Sequence, residues 1–256
     1  MTRDKILLLD VGGTFIKCSD GRSIPVDSDG TREDIVAAFR EAVGEAEELR
    51  VAIPGSFDYG RGIFLMKHKF AAVYGEFFAD LVGIPRERCR FVHDVVAMLL
   101  GSVQSGAKNT ALVTLGTGLG FCMWIDGKVL ANELGSPAEG IYNRPYRDGV
   151  LEDYVSKRGI AGRYGDPSLT VKAIASMAFA GDEKARNVFA ETGEILGENI
   201  SPILEKYRVE TLLLGGQISR SWELFAPALE KALPAGISVM PLADFDNATF
   251  NGLSIQ

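Results

Sequence analysis

Histidine and cysteine are scarce in this chain, and long apolar runs are missing. Among 256 residues there are two histidines, His68 and His93, and three cysteines, Cys18, Cys89 and Cys122. An odd number of widely spaced cysteines in apolar settings points to buried thiols in a reducing cytoplasm. No apolar stretch is long enough to span a membrane, and positions 1–9 reach a strand too soon to hold a signal peptide. A cytoplasmic protein with no membrane partner is therefore expected. Positive charge is in deficit as well: the net charge is −7, the pI is near 5, and no basic stripe is present, which speaks against a nucleic-acid partner.

What is present is apolar and glycine-rich. A hydrophobic fraction of 46% over this length describes one large domain or two modest ones, burying about three-quarters of the unfolded surface. Residues 5–17, KILLLDVGGTFIK, lead the chain: a buried strand over 6–10 ends in Asp10, a glycine pair follows, and Thr14 precedes a second strand. Gly12 and Gly13 can take positive φ in a tight hairpin, and their amides can approach an anion. Asp10 beside that cradle is a hard oxygen ligand, direct or through a water, for a phosphate-bound Mg²⁺. Taken alone, the same residues are equally an ordinary hairpin with an acidic turn.

Further along, 31–49 shows helical spacing behind a Thr31 N-cap. Short strands are expected at 50–53, stopped by Pro54-Gly55, at 63–66 and at 89–92, with 57–62 as loop. Helices are expected over 74–82 and 95–101. After the polar stretch 102–109 the opening pattern repeats: a strand at 111–115, a glycine turn at 116–120, then strands at 121–125 and 128–131. Helices at 151–158, at 168–207 with a break near Gly181, and at 222–233 flank strands at 209–214 and 238–241, and the tail is turn-rich. The sum is two α/β lobes, 1–102 and 103–256.

Three glycine-rich turns thus follow apolar strands: DVGGT (10–14), LGTGLG (115–120) and LLLGGQIS (212–219). Ligands of open α/β sheets bind beyond the carboxyl ends of strands, where glycine admits phosphate or purine to the backbone. This arrangement resembles the sugar-kinase/actin/heat-shock ATPase superfamily, and within it most nearly the ROK family of repressors, open-reading-frame proteins and kinases. AIPGSFDYGRG (52–62), FVHDVVAMLLG (91–101), NELG (132–135) and LEDYVS (151–156) resemble further motifs of that family, in its order.

The resemblance implies two ribonuclease-H-like lobes with a cleft between them, binding ATP with Mg²⁺ and a small-molecule sugar. It implies a glucokinase-like phosphotransferase of carbohydrate metabolism, possible as a homodimer. Asp94 becomes the general base, a role compatible with N-capping the helix that follows it. The sugar side comprises Pro54, Gly55, His68, His93, Glu133, Ser136 and Glu152. The ATP side comprises Gly12, Gly13, Thr14, Lys17, Gly116, Thr117, Gly118, Gly120, Gly215 and Gly216. A non-catalytic sugar or nucleotide sensor on the same fold is the alternative. A repressor is disfavoured because no DNA-binding segment precedes the first strand.

The chain departs from the family in the sugar pocket. His93 stands where the family has Asn, His68 where many members have Asn, and Ser136 where the family has His. Asn143, Pro145 and Val150 replace the cysteines of the family's zinc motif, so no zinc is expected there. Arg144, Tyr146 and Arg147 are expected to hold that loop instead. The resemblance also implies a closing helix packed on the first lobe. Here Gln256 follows soon after the last strand, and that helix is expected to be missing.

Overall fold

The computed structural model describes residues 6–103, 106–166, 168–245 and 247–255. Lys5, Gln104, Ser105 and Gln256, which belong to stretches discussed above, lie outside the described residues. The chain divides into two compact units. One comprises Met1–Ser102, Ala131–Ala138 and Asp246–Gln256, and the other Val103–Leu130 and Glu139–Phe245.

In the first unit β1 (Ile6–Val11) turns back as β2 (Phe15–Cys18) and again as β3 (Ser23–Pro25). Helix α1 (Arg32–Val43) starts where the Thr31 hydroxyl accepts the Asp34 amide at 3.2 Å and stops at left-handed Gly44. It leads to β4 (Glu48–Ile53), which runs parallel to β1. A ribbon of β5 (Phe57–Asp58) and β6 (Ile63–Phe64), helix α2 (Phe78–Val82) and the strand β7 (Cys89–His93) follow, then α3 (Asp94–Leu100). The sheet order is β3-β2-β1-β4-β7, with β4 and β7 parallel to β1 and the first three strands antiparallel. Ile35, Phe39 and Val43 of α1 are buried against the sheet together with Phe57, Phe64, Phe70 and Phe78.

The second unit repeats this plan. Strands β8 (Thr110–Leu115), β9 (Leu119–Ile125) and β10 (Lys128–Val129) meander; β11 (Pro145–Tyr146) and β12 (Gly149–Val150) form a small hairpin. Helices α4 (Leu151–Val155), α5 (Lys157–Tyr164), α6 (Val171–Phe179) and α7 (Glu183–Lys206) precede β13 (Thr211–Gly215). Helix α8 (Ala226–Ala232) and β14 (Ser238–Pro241) complete it. The order β10-β9-β8-β13-β14 has the same strand directions as the first sheet. Both sheets are therefore ribonuclease-H-like, as the sequence implied. Among the described residues no helix is long and apolar enough to cross a membrane.

Residues 57–58, expected as loop, form β5, and four further local expectations change. The stretch 74–77 is not helical. Gly75 takes a φ of 79°, its amide donates to the Phe64 carbonyl, and Ile63 bridges Phe77, so the segment pairs with β6 before α2 begins. The helix expected at 151–158 breaks at Ser156, whose extended backbone lets the Lys157 amide donate to the Gly116 carbonyl at 2.9 Å. Residues 217–224 form 3₁₀ turns, kinked at Ser221, and the regular helix α8 starts only at Ala226, with Pro227 in its first turn.

The fourth concerns the tail, which is not merely turn-rich: α9 (Ala248–Ser254) is a closing helix. It packs in the first unit across α3, where a Cβ at Gly252 would lie 1.8 Å from the Ala97 carbonyl oxygen and one at Gly101 2.0 Å from that of Ala248. Arg50 adds hydrogen bonds to the carbonyls of Leu253 and Ser254 at 3.2 and 2.8 Å. The tail joins the first unit for this reason. Residues 131–138 join it because the Tyr59 amide donates to the Leu134 carbonyl at 3.0 Å.

The helix crossing makes a testable contrast. Gly252→Ala should lower stability by on the order of 3 kcal/mol. Gly162→Ala in α5, where an added Cβ meets nothing within 4 Å, should raise it by about 0.5–1 kcal/mol. Urea denaturation measures both, and equal midpoints for the two variants would contradict the close crossing.

Candidate active site

The first unit brings two carboxylates to the carboxyl ends of β1 and β7, the two strands that flank β4. Asp10 lies on β1 opposite Lys17 of β2, with Lys17 Nζ 3.9 Å from its Oδ2. Asp94 follows β7 as the first residue of α3. His93 Nδ1–H donates to Asp94 Oδ1 at 2.8 Å, and the Val95 amide donates to the same oxygen at 2.7 Å. Oδ2 is left without a hydrogen bond among the described residues, and the side chain keeps 36% of its surface exposed.

The two acids titrate in opposite directions. Burial, together with the charge of Asp94, pushes the Asp10 carboxyl up to about 6, with Lys17 opposing. Burial also raises Asp94, but the His93 hydrogen bond and charge, the Val95 amide and the Lys69 ammonium outweigh it. They hold Asp94 below the usual carboxylate range.

The glycines between β1 and β2 serve a different purpose from the one expected. Neither Gly12 nor Gly13 has positive φ. The Gly12 amide donates to the Phe15 carbonyl at 2.9 Å and closes the hairpin, and a Cβ there would sit 3.0 Å from that oxygen. Space, not left-handed geometry, requires glycine. The carbonyls of Gly13 and Thr14 accept the amides of Ser28 and Val26, while the Gly13 and Thr14 amides have no acceptor among the described residues. Those two N–H groups, without that of Gly12, are the ones available to an anion.

Tyr59, which the sequence reading passed over, ties three predicted segments together. Its hydroxyl donates to the carbonyls of Ile53 (2.9 Å) and Gly55 (3.0 Å), clamping the Pro54-Gly55 turn. Its ring lies 5.7 Å from that of His93, and its amide holds Leu134. Burial and the charge of Asp94 both push its phenol up. In the 131–138 loop, Asn132 Oδ1 accepts the amides of Leu134 and Ser136 at 3.0 and 3.1 Å, and left-handed Gly135 abuts the Tyr59 Cβ. Glu133 is exposed, and so is His68; neither makes a hydrogen bond or ion pair among the described residues. A tyrosine inside the PG segment and an asparagine opening NELG were the available signals.

The second unit holds the other turns. The Gly116 amide donates to the Gly118 carbonyl at 3.0 Å, leaving Thr117 exposed at the tip, and Gly120 already pairs with Thr114 inside β9. Gly216, at a φ of 80°, would place a Cβ 2.3 Å from the Leu115 carbonyl oxygen, so the turn after Gly215 presses against the end of β8. The Ser219 hydroxyl donates to the Gly215 carbonyl.

Glu152 has two hydrogen-bond partners in its own unit. Its Oε2 accepts the Leu119 amide at 2.8 Å and its Oε1 the Arg158 guanidinium at 3.2 Å. Each oxygen of this implied sugar ligand thus accepts one donor of its own unit, where it braces the LGTGLG turn, and each keeps a lone pair for a further donor.

In the stretch 143–150 the three side chains expected to hold the loop make the following contacts. Arg144 donates to the Asn199 carbonyl at 3.1 Å, the Tyr146 and Tyr154 rings meet edge to face at 4.9 Å, and Arg147 pairs with Glu191 at 3.3 Å.

A family model described as ROK family matches residues 29–238. An uncharacterized protein of Clostridium perfringens (strain 13 / Type A) is 29% identical over 253 residues, covering 88% of this chain and 85% of its own length. The ROK family glucokinase from Streptomyces griseus, solved with glucose and AMPPNP, gives a TM-score of 0.77 at 22% identity. That match covers 97% of this chain and 98% of the other. A ROK family transcriptional regulator, homologous to the Escherichia coli MLC protein, gives 0.78 at 18% identity, covering 98% of this chain and 77% of its own. The two structural likenesses concern the fold.

The raised Asp10 carboxyl has a thermodynamic consequence. The folded chain binds this proton more tightly than the unfolded chain between pH 3.8 and about 6. Stability from this group is therefore present below that window and falls as pH rises through it. In metal-free buffer, Asp10→Asn should be more stable than the parent at neutral pH by on the order of 2 kcal/mol. That advantage should vanish near pH 4. Thermal melts at both pH values decide it, and an advantage independent of pH would contradict the assignment.

Proposed function

The chain belongs to the ROK family, and on that premise we propose that it is a sugar kinase moving the γ-phosphoryl group of ATP to a hydroxyl of a hexose or hexose derivative. The observation that carries this reading is Asp94, an ionised carboxylate with one oxygen fixed by His93 and Val95 and the other free. Oδ2 is the atom assigned to the acceptor hydroxyl.

A carboxylate held below its usual range is a weak base. Phosphoryl transfer tolerates that, because its transition state is loose and the attacking oxygen acquires little positive charge before the P–O bond to ADP has largely broken. The hydroxyl oxygen forms the new P–O bond, ADP leaves, and the hydroxyl proton passes to Oδ2. His93 and the Val95 amide keep the carboxylate ionised beforehand and oriented throughout.

The remaining assignments distribute the ligands. Pro54, Gly55, His93, Glu133 and Ser136 face the acceptor in this reading, with His68 at the loop that borders it. The Gly13 and Thr14 amides and Lys17 are assigned to phosphate. Gly116, Thr117, Gly118, Gly215 and Gly216 are assigned to the nucleotide on the family resemblance. The donor chemistry at Asp10 fits Mg²⁺, since its hard oxygens lie in a region where burial and a second carboxylate disfavour uncompensated negative charge. Asp10 would hold that ion directly or through water, and the ion supplies charge neutralisation at the phosphates.

Asp94→Asn should lower kcat roughly 10²–10⁴-fold while leaving sugar affinity nearly unchanged. A coupled ADP-release assay over hexoses, N-acetylated hexosamines and ketoses identifies the acceptor and measures the loss. An Asn variant with near-parental turnover would contradict the role of Asp94. Calorimetric binding of a sugar or Mg-ATP by the parent, without ADP release on any acceptor, would mark the chain as a sensor.

A further inference from the structure

One lysine left out of this reading stands beside the phosphate hairpin. Residues 67–70 read Lys67-His68-Lys69-Phe70, the first three exposed and the fourth fully buried. Phe70 packs between Phe39 and Phe64, with ring centroids 5.6 and 5.9 Å away, and sits in the left-handed region at a φ of 51°. A bulky residue keeps that backbone only where its surroundings enforce it.

The enforcement is a chain of backbone hydrogen bonds to the hairpin. The Phe70 amide donates to the Ser28 carbonyl at 2.6 Å, and the Ser28 amide donates to the Gly13 carbonyl at 3.1 Å. Lys69 is thereby carried to the turn. A Cβ built on Gly13 would lie 3.7 Å from both Cε and Nζ of Lys69. The three basic side chains of the loop differ in this respect: the Lys67 ammonium lies 6.0 Å over the Tyr74 ring, and His68 projects from the surface. Lys69 forms no ion pair with a carboxylate among the described residues. An unpaired ammonium therefore stands next to two amides that lack acceptors, and a polyanion satisfies all three.

We propose that Lys69 is a phosphate-binding residue whose ammonium contacts the terminal phosphoryl group of the nucleotide, together with the Gly13 and Thr14 amides. This rests on the kinase reading above. A fixed positive charge there stabilises the negative charge on the transferring group, which a solvent-exposed lysine elsewhere on the surface cannot do. It also helps to keep the neighbouring Asp94 ionised.

Isothermal titration with Mg-AMPPNP and with Mg-ADP tests the assignment on the full chain. Lys69→Met should weaken AMPPNP roughly tenfold or more and ADP by less than about threefold, with Lys69→Arg recovering most of the loss. Lys67→Met, which removes the same charge from the same loop, should change neither, and the urea midpoint of every variant should match the parent. Equal losses for both nucleotides, no loss, or the same loss in Lys67→Met would overturn the assignment while leaving the kinase reading intact. An unchanged AMPPNP affinity with weakened sugar binding would move Lys69 to the acceptor and overturn it likewise. A parent chain that binds neither nucleotide would overturn the kinase reading and this assignment with it.

Discussion

Two carboxylates at the ends of β1 and β7, on either side of β4, are the constraint around which the candidate site of the first unit is arranged. Burial raises the cost of ionising both Asp10 and Asp94, and the charge of Asp94 adds to that cost at Asp10. The surroundings resolve the conflict asymmetrically. Asp94 receives an imidazole, an amide and a nearby ammonium, whereas Asp10 receives only a lysine at 3.9 Å. One acid is thereby committed to the anion and the other is left with a charge that further positive charge would relieve. Such a divergence between paired acids is how a site separates a proton acceptor from an ion-binding group.

The scaffold that keeps the acids in place uses backbone contacts at close range. Tyr59 reaches the PG turn with its hydroxyl, His93 with its ring and the 131–138 loop with its amide. One residue thus touches the partner of Asp94 and two of the loops assigned to the acceptor. Glycines do the complementary work of admitting backbone where a Cβ would collide, at Gly12 in the hairpin and at Gly252 where α9 crosses α3. In the second unit Glu152 braces the LGTGLG turn from below. This keeps a short glycine loop ordered without lending it a side chain of its own.

Much of this was legible in the sequence because the signals are local. Apolar strands ending in glycine turns predict β1, β2, β8, β9 and β13, and Thr31 marks the start of α1 through its own hydroxyl. What the sequence hid is set by partners distant along the chain. Residues 74–77 look helical until Phe64 supplies backbone partners, and the tail has no strong amphipathic pattern, its helix being fixed by the glycine crossing with α3. Glu152 stands in a motif as a residue type, whereas its hold on the LGTGLG turn depends on Leu119, 33 positions away along the chain. Lys69 carried no motif at all, and only the Phe70–Ser28–Gly13 hydrogen bonds reveal its position.

A sugar kinase joins the γ-phosphoryl group of ATP to a sugar oxygen, the activity proposed for this ROK protein. Phosphorus NMR of the parent chain incubated with Mg-ATP and a mixture of hexoses and hexose derivatives observes that bond directly. The γ-phosphate resonance should decline in step with the growth of a sugar phosphomonoester signal. Conversion of ATP to ADP and free inorganic phosphate, or an unchanged ATP spectrum with every sugar supplied, would contradict it.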